Sequence, residues 1–395
     1  MRRGADWRAA GVGAGASLVA VFLLLACTDL KTTGTAAFAD PGWDRHLYIE
    51  MARTNPLDFH LSPFGWRVLV PATAKALPFN LQASFLLLTI TATVGTGAAL
   101  YVLLRRELGS LYGLSGVALL CSMGWGPKYL LSDFWLPDAE AFLLATLGIL
   151  FAARGRAMPF LLVLLAGAFT KESVLFIAPL FYTLNARRAF DGRLLLRTGA
   201  VAVPGVVALV AIRLLIPSQN GDAAYLASLP GEISRFPDLF PPYDYLALAQ
   251  DIGYHQRLQH LGFDTFAAYT YRALGVGPLV FAAAALPSHW RLALRLSPFV
   301  LLVYAQTVVA TDTERLVVFA FPAVIWLAVA GISDICERAR VRPEAFLITA
   351  GGLFALTLLS RDSYQVAAQP QIAVIVAGGV GAVLAMRRAA RARTG

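Results

Sequence analysis

Charge is what this 395-residue chain has least of. Asp, Glu, Lys and Arg together make up 14% of it, against about 25% in an ordinary soluble domain. With 58% hydrophobic residues and a mean hydropathy of +0.64, that excludes a water-soluble globular enzyme. Cysteine is scarce as well. Cys27, Cys121 and Cys336 lie in or beside apolar runs without a CxxC pair, so neither a disulfide framework nor a thiolate metal site is indicated. Strict apolar/polar alternation is missing, which argues against membrane β-strands. No convincing GxGxxG or P-loop match is found, so no soluble-nucleotide cradle is expected. No clear internal repeat is visible of the kind common in secondary transporters.

What is present is a succession of apolar stretches rich in Leu, Ala, Val, Gly and Phe. They predict an all-α, polytopic membrane helical bundle. Expected spans cover 9–27, 66–79, 82–104, 111–124, 137–153, 158–170, 173–186, 195–216, 273–287, 297–311, 315–332, 344–360 and 370–386. The segment 66–79 is shorter than the roughly 20 residues a crossing needs and reads as re-entrant or interfacial. About twelve spans remain, forming one integral membrane domain over 1–395. The N-terminal stretch ending in LLLAC resembles a signal peptide, but the many later spans favour an uncleaved first helix.

The net charge of +9 is a topology signal. Placed on these spans, 20 of the 33 cations fall on one side, including Arg2, Arg3, Arg8, Arg105, Arg106, Arg154, Arg156, Arg187, Arg188, Arg338, Arg340 and Arg342. Only Asp6, Glu107, Asp191, Asp334, Glu337 and Glu344 accompany them. The positive-inside rule makes that side cytoplasmic. The expectation is a multi-pass protein of the inner (plasma) membrane, both termini cytoplasmic, with anionic lipid rather than nucleic acid as the partner of its basic face.

The remaining acids crowd the opposite, outer face, which the positive-inside rule does not require. The first outer loop, within 28–80, contains FADPGWDRHLYIEMA and FHLSPFGWRVLVP. Asp44, Tyr48 and Ala52 recur every fourth residue and share one face of an amphipathic surface helix, with Asp40 before it as a possible cap. Taken alone, Asp44 is also a natural first-turn acid and Arg67 a natural snorkelling residue. An Arg in that position is equally suited to clamp a phosphate. The next outer loop carries Lys128, Asp133, Asp138 and Glu140, where Asp138 after Pro137 reads locally as a helix-start acid. Lys171 and Glu172 interrupt a long apolar run, and charges so placed tend to be paired or functional. A long, aromatic- and proline-rich outer loop covers 217–270; its His255 and His260 are poorly spaced for a metal pair. Asp312, Glu314 and Arg315 sit at the outer mouth of a late span, where Arg315 has acidic neighbours to pair with. Polar groups converging from five outer segments suit a ligand with an anionic group and an apolar tail.

The order of these motifs resembles the GT-C superfamily of multispanning glycosyltransferases. In that family an acid in the first extracytoplasmic loop lies in a D-x-x-x-Y-x-x-x-A pattern, matched by Asp44, Tyr48 and Ala52. A Y-R-P-L-Y-P-like element is matched by Gly65 to Pro71, a basic-acidic break between apolar helices by Lys171-Glu172, and a late D-x-x-R element by Asp312 to Arg315, then Pro322. Arg45 stands where many relatives carry a second acid. The resemblance implies transfer of a sugar from a polyprenyl-phosphate donor to a glycan, lipid or protein acceptor at the extracytoplasmic face, in an inverting reaction. Asp44 is the expected general base. Tyr48, Arg67, Lys128, Asp138, Lys171, Glu172 and Arg315 are the expected substrate-binding residues. No cofactor is called for, and a divalent metal is allowed but not indicated. The rival readings are a transporter or flippase, a polymerase or ligase of lipid-linked glycans, and a non-catalytic assembly factor.

Overall fold

The computed structural model describes residues 3–28, 30, 44–235, 237, 240, 242, 263–307, 313–360 and 366–394. Among them every regular element is helical. Four helical stretches are long and apolar enough to cross a membrane: Trp7–Cys27, Leu81–Leu108, Gly192–Leu215 and Thr313–Ala339. A fifth is obtained if Phe266–Leu274 and Val276–Gln306, bent by 108°, form one span. The other apolar helices, such as Ser110–Ser122, Ala157–Thr170 and Pro343–Leu359, start and stop close to the expected segments but are shorter than a full crossing.

Helices α1 (Arg3–Cys27) and α4 (Leu81–Leu108) pack antiparallel. Gly13 lies against Tyr101, and a Cβ on Gly97 would sit 1.8 Å from Ser17 Oγ. Such close approach between small residues is how helices associate where burial of apolar area supplies little drive. α5 (Ser110–Ser122), α7 (Asp138–Ala153), α8 (Ala157–Thr170), α9 (Ala178–Thr183) and α10 (Gly192–Leu215) follow. A 3₁₀ segment, Glu172–Ile177, joins α8 to α9.

The 31-residue helix α14 (Val276–Gln306) holds two expected spans. His289 has non-helical dihedrals (φ −111°, ψ 25°) just after Pro287, and proline removes a backbone donor and clashes with the preceding turn. The first half runs alongside α16 (Phe321–Ala339), with the Phe281 carbonyl against Gly331. At the kink His289 Nε2 meets Asp334 Oδ1 at 3.0 Å. The second half then returns, bringing Phe299 onto Phe319. α14 is therefore a helical hairpin clasping α16. Burial separates centre from rim: 83% of the apolar window of Thr313–Ala339 is inside the protein, against 22% for α10 and 28% for α1. The outward faces of α1 and α10 expose Phe22, Leu196, Val207 and Leu214, a surface suited to lipid tails rather than water.

The antiparallel packing sorts the charges by end. Arg105 and Arg106 at the end of α4, Arg154 at the end of α7, and Arg338 at the end of α16 all lie at one end of the bundle. The N-terminus of α7, the C-terminus of α8 and the short α15 (Thr313–Val317) preceding α16 meet at the other.

Candidate active site

The site begins with α2 (Arg45–Arg53), for which Asp44 is the N-cap residue. Asp44 contributes its backbone carbonyl to the amides of Leu47 (3.1 Å) and Tyr48 (3.4 Å), but its side chain makes no capping bond. The carboxylate turns instead to Arg315, whose Nη1 donates to Asp44 Oδ2 at 2.6 Å. A first-turn acid held by the helix dipole is thus not its role. Tyr48 and Ala52 lie on the same face and are buried. So are Arg45, Leu47, Ile49 and Met51, which makes α2 a packed helix rather than the surface-lying one its composition suggests. The reason is Arg45. Its guanidinium reaches Asp133 at 3.5 Å, both side chains being 2% exposed, so an ion pair lets this end of α2 pack inward while Arg53 stays exposed.

Two segments distant in sequence are laced together to present Arg67. The His60 amide donates to Tyr225 Oη (2.8 Å) and the Gln219 amide to the His60 carbonyl (2.9 Å). Asn220 bonds both the amide and the carbonyl of Ser62, and Trp66 Nε1 donates to the Ile216 carbonyl (2.9 Å). The chain then turns through Phe64–Trp66 into α3 (Leu69–Ala76), the short helix expected at 66–79. Arg67 sits at the break and does not snorkel. It donates Nη2 and Nε to the two oxygens of Glu172 at 2.7 and 3.2 Å, and Nη1 to Tyr48 Oη at 3.0 Å. Burial would lower the Arg67 pKa, but the facing Glu172 carboxylate outweighs it and holds the guanidinium charged. Burial also pushes the Tyr48 phenol up to about 12 against the pull of Arg67. Tyr48 is neutral at any working pH and is not a base.

Asp138 is the centre. It opens α7, 3% exposed, and receives Lys171 Nζ at 2.5 Å on Oδ1 and Arg315 Nε at 2.6 Å on Oδ2. Lys171 is placed by the extended backbone (φ −163°, ψ 124°) that ends α8. Arg315 is placed by α15, which turns into the buried α16. Arg315 therefore bridges Asp44 and Asp138, residues 271 and 177 positions away, rather than pairing with its sequence neighbour. Glu314 goes to Arg272 at 3.4 Å. Three cations and three carboxylates from five segments gather in one network: ion pairs join Asp44, Arg315, Asp138 and Lys171, and the Arg67–Glu172 pair adjoins them because Glu172 follows Lys171 in the chain. Asp138, Lys171, Arg67 and Arg315 are at most 9% exposed at the side chain, while Asp44 (25%) and Glu172 (30%) reach the surface.

Lys128 stands apart. It is buried and donates to the carbonyls of Thr357 (3.4 Å) and Ser360 at the C-terminal end of α17 (Pro343–Leu359), where a cation complements the helix dipole. The Arg45–Asp133 pair is not legible as a pair in the sequence, where the two residues lie in different expected loops 88 positions apart. Burial raises the Asp133 carboxyl to about 6 despite the opposing Arg45. Glu140, two residues past Asp138, has both carboxyl oxygens buried without a hydrogen-bond partner among the described residues. Asp40, His255, His260 and Asp312 lie outside the described residues. Among the described residues no three His, Cys, Asp or Glu side chains are grouped to hold a metal.

Cavities of about 490 and 360 Å³ lie away from this network. One is walled by Pro179, Tyr182, Leu195 and Ala202 between α9 and α10, the other by Glu107, His289, Arg295 and Trp326 near the turn of the α14 hairpin. The ion-pair network itself is closed by its own contacts. Comparison with known proteins finds no matching family model, no similar curated protein and no similar solved structure.

Proposed function

We propose that the chain is a membrane glycosyltransferase that moves a sugar from a polyprenyl-phosphate donor to an acceptor hydroxyl, on the face where Asp44 and Arg315 meet. The observation that carries this reading is the six-residue network itself. A carboxylate that reaches the surface stands within one residue's reach of the buried cations that a lipid phosphate needs. In the reaction, Asp44 takes the proton of the acceptor hydroxyl as that oxygen attacks the anomeric carbon. The bond from that carbon to the phosphate oxygen breaks, and the phosphate leaves with the electron pair. Arg315, Lys171 and Arg67 offset the charge that develops on it. A single displacement of this kind inverts the anomeric carbon. The lipid tail enters from the bilayer, so the protein needs no soluble-nucleotide pocket. Membership of the GT-C superfamily, about twelve crossings, with α14 counted as two, and a cytoplasmic Arg-rich end belong to the same proposal.

The transporter reading draws on Glu140, a buried carboxyl at a helix start with no hydrogen-bond partner among the described residues. The nearly fully buried ion pairs nevertheless gather at one end of the bundle, which favours an enzyme of one face over an alternating-access path. Asp44→Asn tests the assignment. It keeps the size of the side chain and removes the base, and we expect transfer to fall at least about 100-fold, the lower range of general-base contributions, with expression unchanged. Transfer at the wild-type rate would sink the assignment.

A further inference from the structure

Among the described residues each cation of the network already faces a carboxylate. Arg67 faces Glu172, Lys171 faces Asp138, and Arg315 faces both Asp138 and Asp44. An anion that takes over one of these bonds displaces a carboxylate, and the three acids are held very differently. Asp138 is 3% exposed and bound by two cations. Glu172 is held by two bonds from one guanidinium, the strong bidentate form of the pair. Asp44 is 25% exposed, and among the described residues its carboxylate has a single partner, Arg315 Nη1. It is the carboxylate that leaves first.

We propose that Arg315 is an exchange latch: the phosphate of the lipid donor takes Arg315 Nη1 from Asp44, and this release is what frees Asp44 to act as base. The idea rests on the transferase reading above and adds an order of events. Before the donor arrives, Asp44 is held at Oδ2 by the guanidinium. Donor binding moves that hydrogen bond to a phosphate oxygen, while Asp138 keeps Nε of the same guanidinium and fixes its plane. After transfer Asp44 carries the acceptor's proton and no longer competes for Arg315, so the phosphate product stays. Loss of that proton restores the carboxylate, which retakes Arg315 and expels the product. Arg315 is suited to this because its planar fork holds two anions in fixed directions, which the ammonium of a lysine, a point charge on a flexible stem, does not.

The consequence is opposite to that of an ordinary binding residue. Removing the negative charge of Asp44 should tighten phosphate binding while it abolishes transfer. The test measures the dissociation constant of undecaprenyl phosphate in detergent micelles for the wild type, Asp44→Asn and Glu50→Gln, with inorganic phosphate as a second titrant. Glu50→Gln removes the same charge from the same helix without touching Arg315. We expect Asp44→Asn to bind undecaprenyl phosphate about 10- to 100-fold more tightly, the worth of one charged hydrogen bond as a competitor, and Glu50→Gln to match the wild type. The gain should vanish when Arg315→Lys is added to Asp44→Asn, a comparison that holds even if one variant is less stable. Equal tightening by Glu50→Gln, or a gain that survives Arg315→Lys, overturns the latch. Inorganic phosphate competing as well as the lipid would overturn the lipid as the anion's source. Unchanged affinity with lost transfer in Asp44→Asn leaves Asp44 as base and removes the latch; full transfer by Asp44→Asn removes both.

Discussion

At the scale of single residues, the chemistry depends on who pairs with whom. Asp138 is the partner two buried cations share. Cutting it back leaves both uncompensated, and breaking a buried pair from one side costs about 3–5 kcal/mol. Asp138→Ala should therefore lower the melting temperature in detergent markedly, more than Glu172→Ala, whose side chain is 30% exposed; equal small effects would show that Asp138 is not the hub. Asp133 has a pH signature. Its folded pKa of about 6 is raised above the ordinary carboxylate value by burial. The stabilisation from its neutral form is complete below about pH 4 and is lost as pH rises through 6. Asp133→Asn does not titrate, so relative to it the wild type should lose on the order of 3 kcal/mol between about pH 4 and 7. Thermal unfolding of both proteins across that range checks the sign; a wild type that gains on Asp133→Asn with rising pH contradicts it.

At the scale of elements, the site is positioned by close helix crossings. A Cβ at Gly331 would lie 2.2 Å from the Phe281 carbonyl oxygen and 3.0 Å from the Ala285 amide nitrogen. These are backbone atoms and do not rotate away. Gly331→Leu should push the α14 hairpin off α16, shift Arg315 at the head of that helix, and cost about 1–3 kcal/mol as overpacking, with a drop in melting temperature as the readout. Substitution at Gly199, which has open space around it, is the control expected to leave stability unchanged. The elements themselves were legible in the sequence, because apolar runs of near-spanning length and basic clusters at their ends are local signals. α14 was legible as two segments because Pro287 and His289 lie between them. The pairings were not legible. Glu314 and Asp312 adjoin Arg315, yet it reaches Asp44, 271 residues away. Only the antiparallel stacking of helices places those ends together. Arg67, Lys171 and Asp138 were chosen on local pattern and meet in one network, whereas Lys128, chosen on the same grounds, serves the end of α17. Residue type and location at one face are local facts; direction is a property of the packed bundle.

At the scale of the whole molecule, the two ends of the bundle differ in chemistry. One carries the basic clusters and the turn of the α14 hairpin; the other carries the ion-pair network and the laced loops. Their placement across a bilayer is testable with single cysteines in a Cys27→Ser background, the other two cysteines being buried. Ser228→Cys, near the laced loops, should react with a membrane-impermeant thiol reagent in intact cells. Glu107→Cys should react only after permeabilisation. The reverse pattern would put the network on the cytoplasmic face.

The central claim is that the Asp44–Arg315 end of the bundle transfers sugar from a lipid phosphate. The most direct measurement incubates purified wild-type protein and Asp44→Asn with a labelled polyprenyl-phosphate sugar and follows the label away from the lipid fraction. The account predicts time-dependent release or transfer of sugar by the wild type and none above background by Asp44→Asn. Label that stays on the lipid with both proteins across a panel of donor sugars, or leaves it equally fast with both, would contradict it.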